Sequence, residues 1–455
     1  MLNLSQAAQA IGGAVAGRDN VFTGVSTDSR SIGAGDLFVA LRGERFDGHR
    51  FVDAVACAGA VAALVDREFD AAGVGLPLIV VTDTRLALAA LARHWRAQFS
   101  PVLIGVAGSN GKTTTKEMIA SILRAEAGDA AVLATTGNLN NDIGLPLTLL
   151  RLRAEHRWCV IELGMNHKGE IAYLADIARP TVAVVTNAQR EHLEFMGSVG
   201  EVAEENATIF SALPADGTAV VNADDAHAST FRAAAGGRRQ VDFALDRGAS
   251  VTARYELRPL SSSLRIACDG VAVAASLAIP GLHNVMNALA AAASAHAAGI
   301  APDAIGQGLS AFRPYTGRLQ VRTTSEGMTV IDDTYNANPD SVRAAIDVLA
   351  GAGGRTVLVL GDMGEVGDEG PDFHSEVGRY ARERGISSVL ALGESTAHTV
   401  AAFGPGARHF ATVEDLAGAL DAVRDKGTTV LVKGSRFMRM ERVVSGLTGI
   451  TEEAH

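Results

Sequence analysis

Cysteine is scarce in this chain. The three in 455 residues, Cys57, Cys159 and Cys268, stand far apart with no C-x-x-C pair, which leaves no disulfide framework and reads as reduced core thiols in a cytoplasmic protein. Long apolar runs are missing as well. No stretch approaches the roughly 20 residues of a bilayer span, so a membrane-embedded protein is not expected. The most apolar long segment, 287–300, is alanine-rich and too short; it reads as a buried helix. The first ten residues lack a basic stretch followed by a leucine-rich core, and suggest the start of an amphipathic helix rather than a signal peptide. Nor is there a basic excess. With 40 Lys and Arg against 51 Asp and Glu, the net charge of -11 excludes a general nucleic-acid surface, yet local cations and backbone N–H groups can still bind an anion. No low-complexity tract or short-period repeat is found.

What is present is a globular composition with ample core, 47% hydrophobic and 20% charged. The length predicts about three domains. Residues 1–84 carry short β-like runs at 36–41 and 78–82 around a helical stretch, 51–61, and read as a small α/β unit. A strongly helical connector, 84–99, begins the second unit, 85–312. There, apolar strand-like runs at 101–107, 158–162, 182–186 and 218–222 alternate with helical stretches, which predicts a largely parallel sheet covered by helices. Shorter alternating runs at 263–267 and 271–274 predict an antiparallel edge or insertion. In the third unit, 313–455, strand and helix repeat with strands at 329–332, 356–360, 388–392 and 429–432. This predicts a doubly wound, Rossmann-like sheet.

Between the 101–107 run and a helical segment beginning at Lys112 lies Gly108-Ser-Asn-Gly-Lys-Thr113. Helix N-termini carry unpaired N–H groups and positive potential, so phosphate oxygens are favoured at such a turn. The turn is shorter than the common P-loop, because Val106 stands where the first glycine of that pattern would be. The reading is a nucleotide triphosphate site made by Gly108, Ser109, Asn110, Gly111, Lys112, Thr113 and Thr114. Lys112 would reach the β- and γ-phosphates and Thr113 would ligate Mg²⁺.

Other candidates follow the strands. Glu162 ends a buried strand, where a carboxylate can share Mg²⁺ with Thr113 or simply cap the strand. His192 lies after the 182–186 run and is a candidate for holding metal or orienting an acceptor. The segment 135–146, with Thr136, Asn138, Asn140 and Asn141, is dense in amides that hydrogen-bond oxyanions without adding charge. Asn284 and Asn287 lie one turn apart on one helix face, to read a base edge or to cap the helix. Arg318 could clamp a transferring phosphoryl group. The loop from Asp332 through Tyr335, Asn336 and Asn338 to a helix-starting proline suits a ribose, a base or an amine.

Together these motifs resemble the Mur ligases of peptidoglycan synthesis, ATP-dependent enzymes of three domains. The resemblance rests on Gly108–Thr113, Gly137–Pro146, Asn166–Ile171, Tyr335–Ser341, Gly361–Met363 with Glu365, and Lys433–Arg436, and runs the length of the chain. It implies a member that joins D-alanyl-D-alanine to a UDP-MurNAc-tripeptide. It further implies a UDP site in the first unit, with Thr27, Ser29, Arg30, Glu44, Arg45 and Phe46, adenine contacts from Asn284 and Asn287, ribose contacts from Asp332 to Tyr335, and a phosphate contact from Arg318. Lys433 and Ser435, with Asn336 and Asn338, join the substrate-binding set. Catalytic roles fall to Lys112, Glu162, His192 and Arg318, and Mg²⁺ to Thr113, Glu162 and His192. Many relatives carry a lysine whose carbamate bridges a second Mg²⁺; Asn206 stands at that position here, so no modified lysine is expected.

The expected chemistry is activation of a carboxylate by ATP as an acyl phosphate, then attack by the amine. Each unit supplies one substrate, so closure is expected, with Arg318 and the Asp332 loop away from the phosphate loop in an open form. A monomer is expected, with no nucleic-acid partner. The alternatives are another Mur ligase, a folylpolyglutamate synthase-like ligase, and a P-loop ATPase switch.

Overall fold

The computed structural model describes residues 1–44 and 46–450. Among the described residues, besides a two-stranded ribbon of Arg42–Gly43 with Phe46–Asp47, three sheets follow one another along the chain: five strands within 14–81, nine within 102–277 and six within 320–433. Each is dominated by parallel pairs, as runs of valine, leucine and isoleucine buried on both faces predict. In the central sheet Ile104, Val106, Val182 and Val184 join one apolar cluster, while Leu103, Ala107, Ala183 and Val185 join another on the opposite face. The first cluster takes in helices Lys112–Ala127 and Leu282–Ala297 and continues into the C-terminal unit. The second takes in the N-terminal unit through Leu37, Leu64 and Ile79.

Strand Val102–Ala107 lies between strands Val182–Val185 and Trp158–Glu162, and Glu162 is in register with Val106. Chain order reverses at this strand, so a crevice opens at its carboxyl end, where the phosphate loop begins. The shorter alternating runs are an edge rather than an insertion. Strands Val251–Arg258, Ser261–Cys268 and Val271–Leu277 pair antiparallel and extend the same central sheet. Helix Thr84–Arg96, expected as a connector, packs in the cluster shared by the first two units through Leu88, Leu91 and Trp95. In the C-terminal sheet Asp333 pairs in register with Lys433. The expectation for cysteine holds for Cys159 and Cys268 but not Cys57, which is exposed because it falls on the outer side of helix Val52–Ala58. Burial pushes the Cys159 thiol up to about 12.

Two packing details have measurable consequences. Helix Pro302–Ala311 crosses helix Lys112–Ala127 at Gly308, where a Cβ would lie 2.3 Å from Ile122 Cα. A Gly308→Ala variant is expected to lose about 1–3 kcal/mol through overpacking, seen as a lower urea midpoint. An unchanged midpoint would mean that the two helices are free to separate. At the seam between the central and C-terminal units, Glu376 accepts hydrogen bonds from Arg190 and Arg343, which hold its carboxyl well down, to about 2. The folded group is more acidic than the free one, which titrates at 4.5, so its contribution is complete above that value and is lost as pH falls toward 2. Protease susceptibility of the seam should rise over that acid range, and a Glu376→Gln variant should flatten the dependence.

Candidate active site

The phosphate loop turns between strand Val102–Ala107 and helix Lys112–Ala127, and two of its positions demand glycine. Gly108 has φ +123° and Gly111 φ +83°, and added Cβ atoms would lie 2.2 Å from Thr186 Oγ1 and 2.1 Å from Asn287 Oδ1. Amide side chains hold the turn. The Gly108 N–H donates to Asn206 Oδ1 at 2.7 Å, the Asn110 N–H to Asn187 Oδ1 at 2.9 Å, and Asn110 Nδ2 to Gln189 Oε1 at 2.6 Å. Lys112 folds back over the turn, its Nζ donating to Gly108 O at 2.6 Å, Ser109 O at 2.9 Å and Glu191 Oε1 at 2.8 Å.

Glu162 is 1% exposed. Its Oε1 accepts from Thr113 Oγ1 at 3.2 Å and Asn140 Nδ2 at 2.8 Å, and its Oε2 is buried with no partner. A buried carboxylate oxygen with neither partner nor water is costly, and a cation or a ligand donor would satisfy it. His192 has φ +51°, in the left-handed region. Its Nδ1 lies 2.8 Å from Glu365 Oε2, and its Nε2 3.6 Å from Glu191 Oε1. The Glu365 carboxyl is held below its usual range by this imidazole.

Two cavities meet at the loop. The first, about 630 Å³, is lined by Ser109, Lys112, Thr113, Asn138, Asn140, Asn141, Glu162, His192, Tyr335, Asn336 and Asn338. The second, about 1060 Å³, is lined by Thr114, His283, Asn284, Asn287 and Asp333, and by Leu257 to Pro259 from the antiparallel edge. Five residues line both: Asn110, Gly111, Arg318, Ser341 and Lys433. In the second cavity Asn287 Nδ2 donates to Asn284 Oδ1, and Asn284 Nδ2 to Pro280 O. Desolvation pushes the His283 imidazole down to about 4, so it is neutral near pH 7.

The C-terminal unit is docked. Arg318 Nη2 lies 3.5 Å from Thr113 Oγ1, its guanidinium stacks 3.9 Å over the Tyr335 ring, and Asn338 Nδ2 donates to Asn110 Oδ1 at 2.9 Å. The separation expected of an open form is therefore not the arrangement seen, because polar contacts across the seam draw the units together. Asp332 is a correction. It is fully buried within strand Thr329–Asp333, accepts from the Thr334 hydroxyl, and lines neither cavity. Burial raises its carboxyl. The next residue, Asp333, turns the other way and accepts from Lys433 Nζ at 2.6 Å.

Other expected residues lie apart. Thr136 accepts from Arg151, and Ser435 donates to Ala337 O; both lie outside the two cavity linings. Thr27, Ser29, Arg30, Glu44 and Phe46 also line neither cavity and sit on the N-terminal unit, with Arg30 paired to Asp28. Arg45 lies outside the described residues. The Asn206 amide oxygen accepts from the Gly108 N–H, Glu204 is exposed, and Glu205 accepts from the N–H groups of Gly169 and Ile171. Sequence reasoning missed Glu191, Gln189 and Asn187. The first stands beside His192 and was within reach; the amides become meaningful only once folding brings them 77–80 residues back to the loop.

Residues 21–96, 106–295 and 317–436 match profiles described as the Mur ligase family catalytic domain, the Mur ligase middle domain, and the Mur ligase glutamate ligase domain. The chain is 41% identical to the UDP-N-acetylmuramoyl-tripeptide--D-alanyl-D-alanine ligase of Escherichia coli K12, over 98% of each chain. It is 37% identical to the Haemophilus influenzae protein of the same name, over 98% of this chain and 99% of that one. Among solved structures it is similar to MurF from Acinetobacter baumannii, with a TM-score of 0.92, 36% identity and 99% of each chain covered. It is also similar to MurF ligase from Thermotoga maritima in complex with ADP, with a TM-score of 0.83, 28% identity, and 95% and 98% of the two chains covered.

The glycine constraint offers a direct check. A Gly111→Ala variant meets both a left-handed backbone and Asn287, and is expected to weaken ADP binding about 100-fold in calorimetry.

Proposed function

The chain belongs to the Mur ligase family, and from that premise we infer that it is an ATP-dependent ligase joining D-alanyl-D-alanine to a UDP-N-acetylmuramoyl-tripeptide. It forms a carbon–nitrogen bond in peptidoglycan synthesis and yields the pentapeptide precursor, ADP and phosphate. The observation that carries the mechanism is the wall shared by the two cavities. A nucleotide in the second cavity delivers its γ-phosphoryl group at Asn110, Gly111 and Arg318, and a carboxylate in the first cavity meets it there.

A carboxylate is a poor acyl donor because oxide would have to leave. Its oxygen therefore takes the γ-phosphoryl group first, releasing ADP; the dipeptide amine then attacks the acyl carbon, and phosphate departs. Lys112 leaves its resting contacts and turns toward the phosphates, and Arg318 offsets charge on the moving group. Arg318 stacked on Tyr335 supports this, since the ring fixes the guanidinium without neutralising it.

We assign Mg²⁺ to Thr113 and Glu162, with His192 on the same cavity. The donors fit: a hydroxyl and a buried carboxylate with one oxygen unpartnered are hard oxygen ligands. Among the described residues no group of three or more His, Cys, Asp or Glu could hold a metal. An ion here would be held by one or two protein groups and substrate phosphates. An Mg²⁺ held there would offset phosphate charge. Asn206 supports a site without a carbamylated lysine.

Asn284 and Asn287 are assigned to adenine, and Asp333, rather than Asp332, to the nucleotide's ribose side. Asn138, Asn140, Asn141, Asn336, Asn338 and Lys433 are assigned to the peptide substrates. Residues 1–84 are read as the UDP-binding unit, 85–312 as the ATP unit and 313–455 as the unit that brings the dipeptide. Among the described residues no helix is long and apolar enough to cross a membrane, and three free thiols support a cytoplasmic setting.

Phosphate release should require both D-alanyl-D-alanine and the UDP-linked tripeptide, with the pentapeptide detected by mass. Release independent of both would instead favour an ATPase switch. Arg318→Ala should lower kcat by about 10²–10³ with a far smaller change in KM for ATP. Equal losses in binding and turnover would remove Arg318 from the chemical step.

A further inference from the structure

Arg190 belongs to none of the assigned groups, yet it is the most fully engaged side chain at the seam. It follows strand Val182–Val185 and lies two residues before His192. Its backbone N–H donates to Asp340 Oδ2 at 2.9 Å. Its Nη2 donates to Asp340 Oδ1 at 2.6 Å, its Nη1 to Glu376 Oε2 at 2.7 Å, and its charge sits 5.2 Å over the Phe373 ring. All three partners belong to the C-terminal unit. Arg343 shares Glu376 at 2.7 Å and so fixes that carboxylate in place.

The segment carrying Arg190 also touches the phosphate loop. Asn187 and Gln189 hold Asn110, and Glu191 holds Lys112. Asp340 lies just beyond Asn338, which itself bonds Asn110. One arginine thus ties the loop's supporting segment to the helix whose N-terminal cap, Asn338, is one of the third unit's contacts with that loop.

We propose that Arg190 is a positioning residue for ligation, a clasp that sets the C-terminal unit against the phosphate loop so that Arg318 reaches the transferring group. A planar guanidinium offers a rigid fork to one carboxylate while bonding a second, a geometry that the point charge of a lysine ammonium lacks. The three-domain geometry fixes reacting distances, and misplacement of about 1 Å costs on the order of 100-fold in rate.

The proposal rests on the ligase reading, and the test separates the two. Arg190→Ala, Arg190→Lys, Glu376→Gln and the Arg190→Ala/Glu376→Gln pair are assayed for pentapeptide formation and measured by small-angle X-ray scattering with ADP. For Arg190→Ala, kcat is expected to fall about 10- to 100-fold while KM for the UDP-tripeptide stays within about threefold. The radius of gyration should increase. Arg190→Lys should recover only part of the rate, and the paired variant should lose less than the product of the single losses, because both remove one contact. A folded Arg190→Ala protein with kcat within about twofold of the unaltered chain overturns the proposal. Should that variant misfold, unchanged turnover and scattering in both Arg190→Lys and Glu376→Gln overturn it. If the unaltered chain makes no pentapeptide, the ligase reading fails while the scattering arm still reports the clasp.

Discussion

A phosphate-binding turn spends some of its own N–H groups on the contacts that hold it in shape. In this chain the holding is done by neutral amides. Asn206, Asn187 and Gln189 fix Gly108 and Asn110, the last two amides from the wall of the second cavity. Carboxylates could make the same hydrogen bonds, but they would set negative charge directly beside a triphosphate. Everything nearby takes its position from this support. Glu162 faces the loop's threonine, Asn287 presses against Gly111, and the segment that supplies two of the amides continues into Glu191 and His192.

Charge is placed with equal economy. Lys112 rests on two carbonyls and Glu191, a stable but replaceable set. Adjacent aspartates in one strand divide between opposite faces, as side chains in a strand must. Asp332 goes to the core, where burial raises its carboxyl, and Asp333 goes to the site, where it pairs with Lys433.

That pair also marks where the sequence could be read and where it could not. The central strands were legible because parallel strands covered on both faces read as unbroken apolar runs, as in Val182–Val185 and Thr218–Asn222. Strands Ala14–Ala16 and Gly24–Ser26 are too short to stand out, and Arg239–Ala244 mixes charged and apolar residues. The phosphate loop, Glu162 and Arg318 were legible from motif and position. Asp332 was misjudged because a tight loop was expected where the strand runs one residue further. The docked arrangement was invisible for a different reason. Arg190 finds its carboxylates 150 and 186 residues away, a pairing that no local pattern encodes.

The seam is not only polar. Val285, Ala288 and Leu289 of the central unit share one apolar cluster with Ala345, Ile346 and Val348 of the third, and a Cβ at Gly281 would come within 2.8 Å of Val348. Parting the units therefore wets hydrocarbon as well as breaking ion pairs. Wetting hydrocarbon carries a positive heat-capacity change. The balance between docked and parted forms consequently curves with temperature, and cooling weakens the apolar share of the docking while leaving the arginine clasp largely in place.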